Sequence, residues 1–228
     1  MTVRIHTVPL GPDNSYIVQG EGTILIDGGA PKNSGRFVAA CEKLSLKPET
    51  VALIVLTHGH WDHIGSAAEI KEITGAQIAM HRDEKDCLEK SRILTPPGVT
   101  LWGKLFVRIM ALFLPRIHVP KSTVDVVLDD EERSLADYGI PGSVLATPGH
   151  SKGSVSVLLN TGEAFVGDLA MSGFPLRVRP GLPILAENME EVRKSWKRLL
   201  SKGAKRVYPA HGKPFSVDAI INALSPHP

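Results

Sequence analysis

The chain has 228 residues, 26 of them basic and 24 acidic, for a formal charge of +2, with 43% hydrophobic and 5% aromatic residues. Length and composition suit a globular chain of one or two domains and exclude disorder, a collagen repeat and a disulfide scaffold. The near-neutral balance gives no global reason to expect nucleic acid, and two cysteines, Cys41 and Cys87, read as reduced thiols of a cytoplasmic protein and not as a framework.

Taken in chain order, the first half reads as short strands and turns. Met1–Leu10 alternates Val3, Ile5 and Val8 with polar residues and lacks the pattern of a secretory signal. Strands are predicted at Val3–Val8, Ser15–Val18 and Thr23–Ile26, with Gly11-Pro12 and Gly20–Gly22 as turns. Ser34–Leu44 carries Phe37, Val38, Cys41 and Leu44 at helical spacing, with Ser34 as N-cap. Val51–Leu56 is a continuous β-branched and leucine run, as in a strand covered on both faces. A helix over Ile64–Ile73 and a strand over Gln77–Met80 follow.

Asp83–Ser122 breaks this alternation. Its apolar run Leu101–Leu114 is fenced by Pro96-Pro97 and Pro115, as a bounded helix requires, and carries only Lys104 and Arg108 as charges. It is shorter than the roughly 18 apolar residues of a membrane span. So much apolar surface should not stay bare. It can wall a substrate site, with Trp102 and Phe106 as contacts. It can pair two copies in a homodimer through 97–115, lie in a membrane interface, or simply join the core. The second half resumes with strands at Val124–Leu128, Ser143–Ala146, Ser154–Leu159 and Ala164–Val166, the last two joined by a hairpin-like turn at Asn160–Glu163. A helix at Glu187–Lys202, a strand at Arg206–Tyr208 and a helix at Val217–Leu224 complete the chain.

The strongest chemical signal is Thr57-His58-Gly59-His60-Trp61-Asp62-His63, four potential metal ligands in six residues directly after a buried strand. Imidazole and carboxylate suit zinc, iron or manganese. Gly59 should let His58 and His60 converge, and Trp61 lies beside the ligands as a candidate substrate contact. Three further elements place a ligand type after a strand: Thr147-Pro148-Gly149-His150, Val166-Gly167-Asp168 and Tyr208-Pro209-Ala210-His211. Asp27 follows a third strand, and Asn14 reads as a turn residue. His6, His81, His118 and His227 lack ligand-like contexts.

These motifs, with a full His-x-His-x-Asp-His signature and the later His, Asp and His in order, resemble the metallo-β-lactamase superfamily. The resemblance implies an α/β (α+β) fold, a four-layer αββα sandwich of two mixed sheets with outer helices. It implies one such domain over residues 1–228, with an apolar helical insertion at about 83–122. It further implies that His58, His60 and His150 bind one metal, that Asp62, His63 and His211 bind a second, and that Asp168 bridges them. Asp27 would then orient the metal loop, although a plain turn aspartate remains open. Neither cysteine lies in these motifs, which points away from the cysteine-ligated lactamases toward the glyoxalase II and lactonase branch. His60 stands where the family's flavin-linked di-iron oxidases usually carry Glu. The usual Thr-x-Gly after the fourth histidine is here Ser151-Lys152-Gly153, leaving Lys152 either a substrate contact or a solvated lysine.

The implied chemistry is hydrolysis of a carboxylic ester, thioester or lactone with an apolar moiety. A hydroxide shared by two divalent ions, zinc first with iron or manganese as alternatives, would attack the carbonyl, with Asp62 and Asp168 as the catalytic carboxylates. No Gly-x-Ser-x-Gly elbow competes. A tail of Pro214–Pro228 leaves a glyoxalase-type glutathione site unexpected. Alternatives are a mononuclear iron oxygenase of the persulfide dioxygenase type using His58, His150 and Asp168, a phosphodiesterase or nuclease, and a non-catalytic binder. The expected partner is a small molecule, without nucleic acid or a transmembrane segment.

Overall fold

The computed structural model describes residues 2–225. Twelve strands form two six-stranded sheets. The first sheet joins β1 (Arg4–Pro9), β2 (Asn14–Gln19), β3 (Thr23–Ile26), β4 (Val51–Val55), β5 (Gln77–His81) and β6 (Val126–Leu128) in chain order. It is antiparallel from β1 to β3 and parallel from β3 to β6. The second joins β7 (Arg133–Ser134), β8 (Gly142–Ala146), β9 (Val155–Leu159), β10 (Glu163–Phe165), β11 (Arg206–Tyr208) and β12 (Phe215–Ser216). Only β10 and β11 are parallel there, and β9–β10 is the antiparallel hairpin predicted at the Asn160–Glu163 turn.

Both sheets are mixed, and side-chain alternation builds the four layers. On β3, Ile24 and Ile26 face the second sheet, meeting Val155, Val157 and Phe165. Leu25 points the other way, into the layer held by α1 (Ser34–Lys43) and α3 (Ala67–Thr74) through Phe37, Cys41 and Ile70. On the far side Leu145, Leu158 and Val207 pack under α6 (Met189–Ser201) and α7 (Asp218–Leu224) with Trp196 and Leu199. Strands covered on both faces explain why the sequence runs are almost wholly apolar. Cys41 and Cys87 are separate buried thiols in the first of these layers.

Several predicted elements change shape. The Ile64–Ile73 helix is two pieces, α2 (Trp61–Ile64) and α3. Ser66 interrupts them, its hydroxyl donating to the Ala30 carbonyl at 2.6 Å while accepting from the Asn33 amide at 2.9 Å. The helix expected over Leu101–Leu114 is α5 (Leu101–Met110) followed by a turn and a 3₁₀ segment at Leu114–Arg116, where Pro115 can sit but an α-helix cannot continue. Its start is fixed by Thr100, whose hydroxyl accepts from the Gly103 amide. Ser34 is the first helical residue of α1, and Asn33 occupies the N-cap. A short helix absent from the sequence reading, α4 (Lys85–Glu89), buries Cys87 and Leu88. No helix among the described residues is long and apolar enough to cross a membrane.

Candidate metal centre

Strand ends deliver the chemistry to one edge of the sandwich. β3 ends beside Asp27, β4 leads into His58, and β8, β10 and β11 lead into the turns that carry His150, Asp168 and His211. The single turn α2 then aims Asp62 and His63 back toward the β4 end. Three overlapping trios result: His58, His60 and His150; Asp62, His63 and His211; and His58, His63 and Asp168, each with donor atoms within 4.8 Å of one another.

Asp168 lies between the first two trios. Its Oδ2 is 3.6 Å from His150 Nε2, while Oδ1 is 3.3 Å from His211 Nε2 and 3.5 Å from His63 Nε2. His60 Nδ1 and His150 Nε2 are 3.0 Å apart, and Asp62 Oδ2 faces His211 Nε2 at 3.5 Å. His58 Nε2, His63 Nε2 and Asp168 Oδ1 are buried without a hydrogen-bond partner. Buried polar atoms are rarely left unpaired. Orphaned donors of nitrogen and oxygen type, converging within coordination reach, fit divalent zinc, iron or manganese.

The histidines are held from behind. His63 Nδ1 donates to Asp27 Oδ2 at 2.9 Å, His150 Nδ1 to the Leu185 carbonyl at 2.8 Å, and His211 Nδ1 to the Pro12 carbonyl at 3.3 Å. Each bond turns the other ring nitrogen, Nε2, toward the cluster. Asp27 also accepts from the Thr57 amide and hydroxyl, which pins the base of the histidine loop. The backbone of Asp27 takes φ +62°, a conformation costly for a non-glycine residue and sustained by these bonds.

Electrostatics divide the two principal trios. Burial, reinforced by neighbouring histidines, holds His58 well below its ordinary range and brings His60 to about 3. His150 is lowered chiefly by burial. All three favour the neutral form that binds metal. Burial opposes charge on His63 and His211 too, but Asp27 and Asp168 outweigh it at His63, and Asp168 and Asp62 at His211, so both sit well above the usual histidine range. Burial likewise resists ionisation of Asp168 and Asp62. The His211 and His63 charges prevail and hold Asp168 well below, and Asp62 below, the usual carboxylate value.

Four supporting residues carried no signal in the sequence. Glu84, at the start of α4 and buried, accepts from the Gly59 amide at 2.8 Å and the Gly153 amide at 3.0 Å. It therefore ties the loop of His58 and His60 to the loop of His150. A side chain at Gly59 would meet Cys87 Sγ and the Glu84 carboxylate at 2.6 Å, so this glycine makes room for Glu84 and Cys87 and not for converging histidines. Asn14, read as a turn residue, starts β2; its amide donates to the Ala210 carbonyl and its side chain to the Gly212 carbonyl, anchoring the His211 turn. Tyr16 donates to Pro209 in the same turn. Asp13 is buried with neither carboxylate oxygen paired, and burial pushes its pKa up to about 8.

A cavity of about 240 Å³ opens beside the cluster. Its lining combines His60, Trp61, Asp62, Asp168 and His211 with Phe106, Val107 and Met110 of α5 and with Leu114, Phe174 and Leu176. Trp102 lies outside this lining, its indole donating to the Pro175 carbonyl at 2.9 Å. Lys152 is also outside it, exposed and paired with Asp83 at 3.2 Å. His6 bonds Gln19 and His81 is buried beside Gly153, while His227 lies outside the described residues.

The family model of the metallo-beta-lactamase superfamily matches residues 8–211. A probable metallo-hydrolase of Methanocaldococcus jannaschii, MJ0888, is 27% identical over 88% of this chain and 87% of its own length. The probable metallo-hydrolase YflN of Bacillus subtilis is 27% identical over 74% of this chain, and the match spans 64% of YflN. Among solved structures, TTHA1623 in a di-iron-bound form superposes with a TM-score of 0.68 at 27% identity, covering 96% of this chain and 98% of that one. The BLEG-1 B3 metallo-beta-lactamase shares the fold at a TM-score of 0.70 and 20% identity, with 95% of each chain covered.

Proposed function

Because the chain belongs to the metallo-β-lactamase superfamily and holds the family's histidine and aspartate cluster, we propose that this metal-dependent hydrolase is binuclear and cleaves a carboxylic ester, thioester or lactone with an apolar moiety. In this reading His58, His60 and His150 hold one ion, Asp62, His63 and His211 the other, and Asp168 bridges them, its two oxygens facing different trios. Zinc is the first candidate; the di-iron form of TTHA1623 keeps iron in the test. Divalent ions bound here would supply an activated water and a Lewis acid for the carbonyl.

The chain's own residues supply the rest. Asp27 fixes the ring of His63, and the Leu185 carbonyl fixes that of His150. Asp62 reaches the cavity with its carboxylate held ionised beside His211, so it is placed to take a proton from the attacking water and pass it to a leaving oxygen or sulfur. The wall formed by Phe106, Val107 and Met110 excludes water and binds the apolar part of the substrate.

The observation that carries the substrate class is this juxtaposition: one cavity lined both by the carboxylates and histidines of the cluster and by the apolar side chains of α5. The furnished second trio favours two metals over a mononuclear oxygenase, and the apolar wall favours an acyl compound over a phosphodiester. The test is metal analysis after loading with zinc, iron or manganese, then a screen of esters and thioesters of graded chain length, lactones, a phosphodiester, and oxygen uptake on a persulfide. Two ions per chain with activity rising with acyl length is the expected result. One iron with oxygen uptake, or turnover of the phosphodiester alone, refutes the proposal.

A further inference from the structure

The face of α5 turned away from the cavity is unusually bare. Leu101 is 88% exposed and Leu112 68%, with Leu105 and Phe113 beside them; Phe174 and Val178 in the adjoining loop are 88% and 90% exposed. These residues, with Trp102 and Ile109, make up eight of the eleven large hydrophobic side chains exposed among the described residues. The indole of Trp102 donates to the Pro175 carbonyl, and Leu176 packs with Phe106 and Val107, so helix and loop form one surface.

The two segments that carry this surface hold charge of one sign, although Lys90 and Arg92 at the edge of the first pair with Asp86. Lys90 through Val124 contains six Lys or Arg and no Asp or Glu, and Leu169 through Ala186 contains two Arg and no acid. The two segments therefore hold eight of the 26 basic residues and none of the 24 acidic ones, which leaves the remainder of a nearly neutral chain acidic. Lys104, Arg108, Arg116 and Arg179 are exposed and have no carboxylate partner among the described residues.

We propose that α5 and the loop around Pro175 form a docking surface for anionic phospholipid bilayers, with the leucines and Phe174 at acyl depth and the four cations at the phosphates. Apolar side chains interleaved with Lys and Arg on a short helix match the requirements of an interfacial anchor. A second copy of the chain fits less well. Two-fold pairing of this face would set cation against cation, with no acid in either segment to compensate. Phe174 both lines the cavity and stands on this surface, so docking would bring the cavity mouth against the lipid. The surface itself is independent of the substrate class proposed above.

The test is co-sedimentation of the metal-loaded full chain with vesicles of phosphatidylcholine, alone or mixed with phosphatidylglycerol. Binding is expected on the mixed vesicles, weakened by salt and slight on the neutral ones. The variant Lys104→Gln/Arg108→Gln should lose about twenty-five-fold in partitioning, at about fivefold per cation. Leu101→Ser/Leu105→Ser/Leu112→Ser should lose most of the remaining binding; these side chains are exposed, so both variants should keep the wild-type melting temperature and turnover of a short water-soluble ester. Absence of binding to the anionic vesicles overturns the proposal. So does binding that survives the serine substitutions, which would reduce it to bare charge attraction. A lipid-free dimer that dissociates on those substitutions would assign the face to a second copy instead.

Discussion

Replacing Glu84 by Ala should loosen the metal centre without touching a metal ligand. Its carboxylate is buried and accepts from the Gly59 and Gly153 amides at 2.8 and 3.0 Å. A hydrogen bond to a charged group contributes about 1.5–3 kcal/mol, and truncation leaves both amides buried and unpaired, so the loss should be about 3 kcal/mol or more. At about 2–4 °C per kcal/mol for a chain of this size, melting should fall by at least roughly 6 °C. Because Glu84 joins the two loops carrying His58, His60 and His150, affinity for one ion should also fall about 10–100-fold. Glu84→Gln keeps the shape and one acceptor, so it should lie between wild type and Glu84→Ala. Differential scanning calorimetry and competition against a fluorescent zinc chelator measure the two effects. If Glu84→Ala melts lower but binds zinc as tightly as wild type, the link between the loops is structural only. If neither quantity moves, the reasoning fails altogether.

Other expectations concern the site. Asp27→Asn removes the charge that fixes His63, so occupancy should fall mainly at the Asp62, His63 and His211 trio; metal content against free-metal concentration should show one ion lost about 10–100-fold earlier. In chelator-treated protein, the raised pKa of His63 and His211 gives stability that is fully present below pH 6.5 and is lost as pH rises through their folded values. The lowered pKa of Asp168 and Asp62 gives stability present above pH 3.8 and lost on acidification. The lowered pKa of His58, His60 and His150 withdraws stability as pH falls below 6.5. Melting should therefore peak near pH 6.5 and fall on either side, and metal loading should release protons, seen as a buffer-dependent calorimetric heat; buffer-independent heats would refute the charge assignment. Phe106→Ala should raise KM for a long-chain ester by about 10–100-fold while sparing an acetyl ester, because about 1.5–3 kcal/mol of apolar burial is removed. Equal effects on both esters would take Phe106 out of the acyl wall.

Much of the scaffold was legible because its strands are buried on both faces. Ile24, Leu25 and Ile26 form an uninterrupted run since two of them fill the sandwich and one faces the helices. The split of the Ile64–Ile73 helix was not legible, since it depends on Ser66 meeting Ala30 and Asn33 from a distant loop. Glu84 was hidden for the same reason: an isolated glutamate in a polar stretch looks like any solvated residue until the chain folds Gly59 and Gly153 onto it.

By itself the sequence determined the ligand types, their order and their places after strands, because residue chemistry and periodicity are local. Only the tertiary structure decided that Asp168 turns one oxygen toward each of two trios, and that the pKa of His63 and His211 is raised while that of His58, His60 and His150 is lowered. Distances between strand ends remote in sequence set those fields, above all Asp27 against His63 and Asp168 against His211. The tertiary structure likewise split the apolar run of α5 into a wall of the cavity and a bare, cation-studded outer face, because burial belongs to packing and not to composition.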